Sequence, residues 1–281
     1  MNNIITRAIP VATRAILATV IVCLVIILTQ DFQIFPEVIG RIWFFNNRNV
    51  QAPPETVEQI FFETADHKKL EAWRLPAERS GKVALVFHGN AGTLGSFFHY
   101  QKWLKGLGLT SYAFDYRGYG QSEGWPSEAG LQLDSLALWE LVQKGEGVAA
   151  KDVLLLGISL GTGPATWLAR QIGPGSLMLL SPYKSIPDVA QDNFFLRYLK
   201  AFTWHRFPIV EHLPELGQTC IIIAHGKRDS TIKVHHSIEL ARSLRKDQKH
   251  FLILNDQAGH NDLFGHTSRE LEETLGRCNA Y

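Results

Sequence analysis

From about residue 57 onward, short continuous apolar runs alternate with longer stretches in which apolar and polar positions mix. The runs at 82–87, 153–156, 176–180 and 220–224 have the pattern of buried strands, and those at 110–114 and 251–254 predict strands as well. The mixed stretches at 96–107, 127–144, 162–171 and 234–244 predict helices, and residues from 268 onward predict a last one. In 127–144 the apolar set is Leu131, Leu133, Leu136, Leu138, Leu141 and Val142. Ahead of the first buried run, 57–63 and 70–75 flank a turn-like Ala65-Asp66-His67-Lys68 and predict an antiparallel hairpin. Strands alternating with helices imply a mostly parallel sheet covered on both faces. Such sheets bind ligands beyond the carboxyl ends of their strands, so chemistry is expected in the polar residues after each strand.

The first 30 residues follow a different pattern. Positions 15–28 are apolar except for Thr19 and Cys23. A membrane span needs roughly 20 residues, and counting from Val11, with Arg14 reaching to the headgroups, supplies them. An uncleaved single-pass anchor over 1–30 is expected. The alternatives are a cleaved signal, for which no small-residue cleavage site follows, and a buried helix. Arg7 and Arg14 against Asp31 and Glu37 place the N-terminus inside and the main domain on the extracytoplasmic side. Residues 34–45 are rich in large apolar side chains and predict a juxtamembrane helix. Residues 46–55 are polar and contain prolines, so the expected division is an anchor at 1–30, a connector at 31–55 and one domain at 56–281.

Composition narrows the classes. The chain has 281 residues, 46% hydrophobic, with a net charge of +1. That is a globular composition without the basic excess a nucleic-acid partner would call for. Cys23, Cys220 and Cys278 are far apart and odd in number, so no disulfide framework or zinc spacing is read from them. Cys23 and Cys220 sit in apolar runs and read as small buried hydrophobes. No metal-ligand spacing and no nucleotide-binding loop occur, so no metal or cofactor is expected.

The candidate chemistry centres on Gly157-Ile158-Ser159-Leu160-Gly161, which joins a buried strand to a helix. A chain reversing that sharply forces the serine into a strained backbone, with its hydroxyl in the open and no room for neighbouring side chains. Asp229 and His260 also follow predicted strands, in the chain order serine, acid, histidine. A serine hydroxyl needs a base to become a nucleophile, a histidine supplies one, and a carboxylate orients the histidine. Asp115, Asp256 and Asp262 are rival carboxylates. Acyl transfer also needs two N–H groups for the negative oxygen of the tetrahedral intermediate. Leu160 and Asn90, the latter in His88-Gly89-Asn90-Ala91-Gly92, are the candidates, with His88 as structural support.

Taken together, HGNAG at 88–92, DYRGYGQSEG at 115–124, GISLG at 157–161, HGKRD at 225–229 and GHND at 259–262 resemble the α/β-hydrolase superfamily from about residue 57 to the end. They are most similar to its small, N-terminally membrane-anchored members, some of which resemble the catalytic domain of prolyl oligopeptidase. The resemblance implies an α/β-hydrolase fold with a nucleophile at Ser159, an acid at Asp229 and a base at His260. It also implies that the irregular stretch at 182–218 forms a short cap. Tyr183, Phe194, Phe195, Tyr198, Phe202, Trp204 and Phe207 in or beside it could line an apolar pocket or pack on the core. The expected function is a serine hydrolase of esters or thioesters acting on a small-molecule or acylated substrate. A prolyl-oligopeptidase-like peptidase or amidase, or a non-catalytic binding protein, is the alternative. Relatives that cleave haloalkanes or epoxides use aspartate where this chain has Ser159.

Overall fold

A computed structural model of the chain describes residues 11–34, 51–78, 81–194 and 196–279. Its framework is one eight-stranded sheet in the order β1-β2-β4-β3-β5-β6-β7-β8. The strands are β1 (Glu58–Glu63), β2 (Lys69–Leu75), β3 (Val83–Phe87), β4 (Thr110–Phe114), β5 (Val153–Ile158), β6 (Ser176–Leu180), β7 (Cys220–Gly226) and β8 (His250–Asn255). β1 and β2 form the expected antiparallel hairpin, with His67 in a left-handed turn conformation. β2 also pairs antiparallel with β4. Every other pairing is parallel.

The parallel strands are covered by helices because side chains alternate across the sheet. In β3, Val83, Leu85 and Phe87 join a core on one face, while Ala84 and Val86 join a second core on the other. The first core is closed by α4 (Glu128–Glu146) and α5 (Thr162–Ile172), through residues such as Leu138 and Leu168. The second is closed by α3 (Leu94–Gly106) and α9 (Leu263–Arg277), through residues such as Leu104 and Leu271. α8 (His235–Ser243) adds Leu240 to the first. Removing one such side chain, as in Leu85→Ala, costs roughly 2–5 kcal/mol. α4 is bounded by Ser127, whose hydroxyl accepts the Gly130 N–H, and by Gly147 in the left-handed conformation.

Two expectations are corrected. α9 begins at Leu263, five residues before the expected 268, because a carboxylate oxygen of Asp262 takes the Gly259 N–H (2.7 Å) and closes the turn that feeds the helix. Cys220 is also not a lone buried thiol: it forms a disulfide with Cys278. The helix period carries α9 back across β7 and β8, which brings residues 58 positions apart together. Cys23 is free and half-buried.

The N-terminal segment forms α1 (Val11–Leu28) and α2 (Gln30–Ile34). Among the described residues no helix is long and apolar enough to cross a membrane. The expected anchor over 1–30 therefore finds no support among the described residues. Ile16, Leu17, Val20, Ile21 and Leu24 are exposed, yet the C-terminal end of the segment packs on the domain, with Gln30 buried. Most of the expected juxtamembrane helix and residues 46–50 of the connector lie outside the described residues; 51–54 are irregular. Between β6 and β7 the chain makes α6 (Ile186–Asp192), two 3₁₀ turns, α7 (Ile209–His212) and a third 3₁₀ turn at Leu213–Glu215. This is the short insertion expected over 182–218.

Candidate active site

β5 delivers Ser159 at the carboxyl edge of the sheet, and α5 begins three residues later. Ser159 has φ +51°, a left-handed conformation that L-residues avoid. The flanking glycines are required by space. A Cβ on Gly161 would lie 2.1 Å from the Phe87 carbonyl oxygen, and one on Gly157 would lie 2.8 Å from the Gly161 carbonyl oxygen.

The structure brings the three predicted side chains together. Ser159 Oγ lies 3.0 Å from His260 Nε2, and His260 Nδ1 lies 2.6 Å from Asp229 Oδ2. His260 comes from the turn after β8 and Asp229 from the turn after β7. Because Nδ1 faces a carboxylate it carries the proton, which leaves Nε2 free to accept one from the serine. The other Asp229 oxygen takes the N–H groups of Thr231 and Ile232, each at 2.8 Å. Burial works to raise the Asp229 pKa, but hydrogen bonds from His225 and His260 outweigh it and hold the carboxyl well below the usual range.

His225 is a neighbour that sequence reading did not assign. It is fully buried, with Nε2 at 2.9 Å from the Ile232 carbonyl and 3.3 Å from Asp229 Oδ2. Both partners are acceptors, so Nε2 carries the proton and Nδ1 accepts from Ser237 (2.6 Å). Its place at the end of β7, four residues before Asp229, was visible in HGKRD; its bonds to Ile232 and Ser237 were not.

The loop after β3 is held from several sides. His88 Nδ1 lies 2.7 Å from the Gly89 carbonyl oxygen. The Gly89 C=O and the Asn90 N–H belong to one planar peptide and point in opposite directions. Holding the carbonyl therefore fixes where the Asn90 N–H points. Burial pushes the His88 pKa down to about 4, so the ring is a neutral donor at Nδ1. The hydroxyls of Tyr116, Tyr119 and Tyr183 donate to the carbonyls of His88, Asn90 and Leu160, at 3.0, 3.2 and 3.1 Å. Tyr183, noted in the sequence only as an aromatic, is thus a partner of the turn around Ser159.

The rival carboxylates are engaged elsewhere. Asp115 accepts the Leu94 N–H at the start of α3, Asp256 pairs with Lys227, and Asp262 closes the turn before α9. In the DYRGYGQSEG segment, Arg117 donates to Asp134 on α4 and, through both terminal nitrogens, to Asp66 in the β1–β2 turn. It ties three elements behind the site.

A cavity of about 230 Å³ opens over Ser159, with Asn90, Leu160 and Ile232 beside the serine. Its walls come from the insertion and from the N-terminal segment, and among the described residues no charged side chain lines it. Of the aromatics at 183–207, Tyr183 and Phe202 line this cavity and Phe207 packs in the core. Phe194, Tyr198 and Trp204 are exposed, and Phe195 lies outside the described residues. Away from the cavity, Asp192, His235 and His236 approach closely enough to suggest a metal site. The Lys184 N–H, however, donates to His236 Nδ1 (3.2 Å), so Nε2 bears a proton and donates to Asp192 (3.1 Å). The group is a hydrogen-bonded link between α6 and α8.

The sheet order, the sharp turn after β5 and the site at the carboxyl edge define an α/β hydrolase, and the chain belongs to that superfamily. Residues 78–214 match the Hydrolase_4 family, described as serine aminopeptidase, S33. An uncharacterized protein of Mycobacterium tuberculosis is 31% identical over 205 residues, covering 72% of each chain. Lysophosphatidylserine lipase ABHD12 of Xenopus tropicalis is 32% identical over 245 residues, covering 78% of this chain and 63% of the lipase. Human α/β-hydrolase domain-containing protein 17C is 29% identical over 223 residues, covering 79% of this chain and 64% of the relative. The chain thus spans somewhat under two thirds of the length of these vertebrate relatives. Among solved structures, the Pyrococcus furiosus esterase Pf2001 superposes with a TM-score of 0.68 at 17% identity, over 82% of this chain and 95% of the esterase.

Proposed function

We propose that the chain is a serine hydrolase of carboxylic esters or thioesters whose acyl group is a long, uncharged chain. The observation that carries this reading is the linked Ser159, His260 and Asp229 at the foot of a cavity whose described lining residues are all uncharged. His260 Nε2 takes the Ser159 proton as Oγ attacks the acyl carbon. The N–H groups of Asn90 and Leu160 hold the oxygen that becomes negative, the latter at the start of a helix. His260 then returns the proton to the leaving alcohol or thiol. Water, deprotonated by the same histidine, releases the acid from the acyl-serine. Asp229 keeps the proton on His260 Nδ1 throughout and stabilises the imidazolium.

A peptidase reading has the family description in its favour. An aminopeptidase must hold a substrate ammonium, which in a desolvated site needs a carboxylate. Among the described residues that line the cavity beside Ser159 there is none, which favours an apolar acyl group. The lipase named among the relatives acts on a lysophospholipid, and a monoacyl lipid ester fits the same reasoning here. We place the active domain on the extracytoplasmic side at a lipid surface. The Cys220–Cys278 disulfide supports the oxidising side, and the exposed apolar face of α1 supports the lipid.

The test is labelling with a fluorophosphonate probe, together with turnover of p-nitrophenyl esters and of aminoacyl p-nitroanilides. Wild type is expected to label at Ser159 and to prefer esters, and Ser159→Ala to lose both activities. Labelling that persists in Ser159→Ala, or a preference for the anilides, would refute the reading.

A further inference from the structure

Resting on the acyl-hydrolase reading, we infer that α1 and α2 form one wall of the acyl cavity and set the chain length it accepts. Ile26, Ile27, Gln30, Gln33 and Ile34 line the same cavity as Ser159. Ile26, Ile27 and Gln30 come from the segment expected as a membrane anchor, and Gln33 and Ile34 from the expected connector, all outside the domain that carries the triad.

What fixes the segment in place is Gln30. It is 8% exposed, and burying an amide is costly unless its donors and acceptor are satisfied. Its NH₂ donates to the Ile27 carbonyl (2.9 Å) and to the Phe202 carbonyl in the cap (3.2 Å). Its carbonyl oxygen accepts the Trp204 N–H (3.0 Å). Two of these bonds join the α1–α2 junction to the cap backbone on either side of Thr203, which also lines the cavity. α1 is apolar on all sides from Ile16 to Leu28, apart from Thr19 and Cys23. Apolarity alone would let it dock in many rotations about its axis, and the glutamine selects one. In that rotation Ile26 and Ile27 turn toward the cavity while Leu24, Val25 and Leu28 stay exposed.

Two consequences follow for the substrate. The acyl carbon sits at Ser159, so a short acyl group is held by the floor residues alone. A long chain must run along the cavity, where the isoleucines of α1 and α2 contribute the apolar surface. Each further methylene buried against such a wall strengthens binding about fourfold. A larger side chain at Ile27 takes up space needed by the far end of the chain, and loss of the Gln30 bonds loosens the wall.

The experiment uses the full chain and compares wild type with Ile27→Trp and Gln30→Ala. The quantity read is the ratio of kcat/KM on p-nitrophenyl dodecanoate to that on p-nitrophenyl butanoate. Ile27→Trp is expected to lower the ratio at least tenfold, and Gln30→Ala about fivefold, mainly through KM on the longer ester. Fluorophosphonate labelling of Ser159 reports that the site around the nucleophile is intact in each variant. An unchanged ratio in both labelled variants overturns the inference. A second measurement is independent of turnover. Monododecanoylglycerol is titrated calorimetrically into Ser159→Ala and into Ser159→Ala carrying Ile27→Trp. At least a tenfold weaker affinity in the double variant is expected, and equal affinities overturn the inference. If Ser159 does not label in wild type, the hydrolase reading fails while the titration still decides whether α1 lines a binding cavity.

Discussion

At Ser159 the backbone and the chemistry make opposite demands. The left-handed φ of +51° costs a serine about 1–2 kcal/mol that a glycine would not pay. Ser159→Gly is therefore expected to be more stable than Ser159→Ala by about 1 kcal/mol in urea unfolding, and equally inactive. Equal stabilities would mean that the turn is not strained. Asp229→Asn should keep the fold but present His260 with the wrong tautomer, and kcat should fall about 10⁴-fold. A decrease below tenfold would remove Asp229 from its assigned role. His88 gives a pH signature. Its pKa is about 4 in the folded chain and about 6.5 when unfolded. Below pH ~6.5 the unfolded chain binds a proton that the folded one refuses, so stability is full above that pH and is lost as pH falls toward 4. The loss approaches about 3 kcal/mol, and His88→Asn should flatten it when urea midpoints at pH 7 and 4.5 are compared. At this scale much of the site was legible. Ser159, Asp229 and His260 each follow a strand, and Gly157 and Gly161 mark the turn. His225 and the hydroxyl of Tyr183 were not legible as partners, because their bonds reach residues 12 and 23 positions away that no local pattern pairs with them.

Among the elements, the buried runs at 82–87 and 220–224 became β3 and β7 because a strand covered on both faces is apolar at every position. That signal states where a strand is but not which strand it joins. The placement of β2 against β4 and of α9 across β7 and β8 came only from the structure. The disulfide is the consequence with the largest energy. Closing a loop of 58 residues restricts the unfolded chain by about 4 kcal/mol on the loop-entropy account. Cys278→Ser should therefore lower unfolding stability by up to about that amount. Wild type reduced with dithiothreitol should match it, and a reductant-insensitive wild type would show that the two cysteines are not joined. Arg117 holds three elements by charge. Arg117→Ala leaves Asp134 buried without its partner and should cost about 3 kcal/mol or more, measured by the same unfolding curves.

For the whole molecule, the balance of 28 basic and 27 acidic residues determines how it can meet a lipid surface. With a net charge of +1 the molecule as a whole is not drawn to anionic headgroups, and the attraction expected here comes from apolar area. That area is present: Leu17, Val20, Ile21, Leu24, Val25 and Leu28 of α1 are each about half exposed or more. Phe194, Tyr198, Phe202 and Trp204 of the cap, which shares the cavity with α1, are exposed as well. The expected outcome is co-sedimentation of the full chain with phosphatidylcholine vesicles, with the same affinity when a fifth of the lipid is replaced by phosphatidylserine. Raising salt from 0.05 to 0.5 M should leave it unchanged, since the Debye length shrinks without affecting burial of apolar surface. Leu24→Glu should weaken the binding about tenfold, the equivalent of losing one buried leucine. Binding that needs the anionic lipid, or that salt abolishes, would assign the attraction to charge and remove the exposed face of α1 from the account.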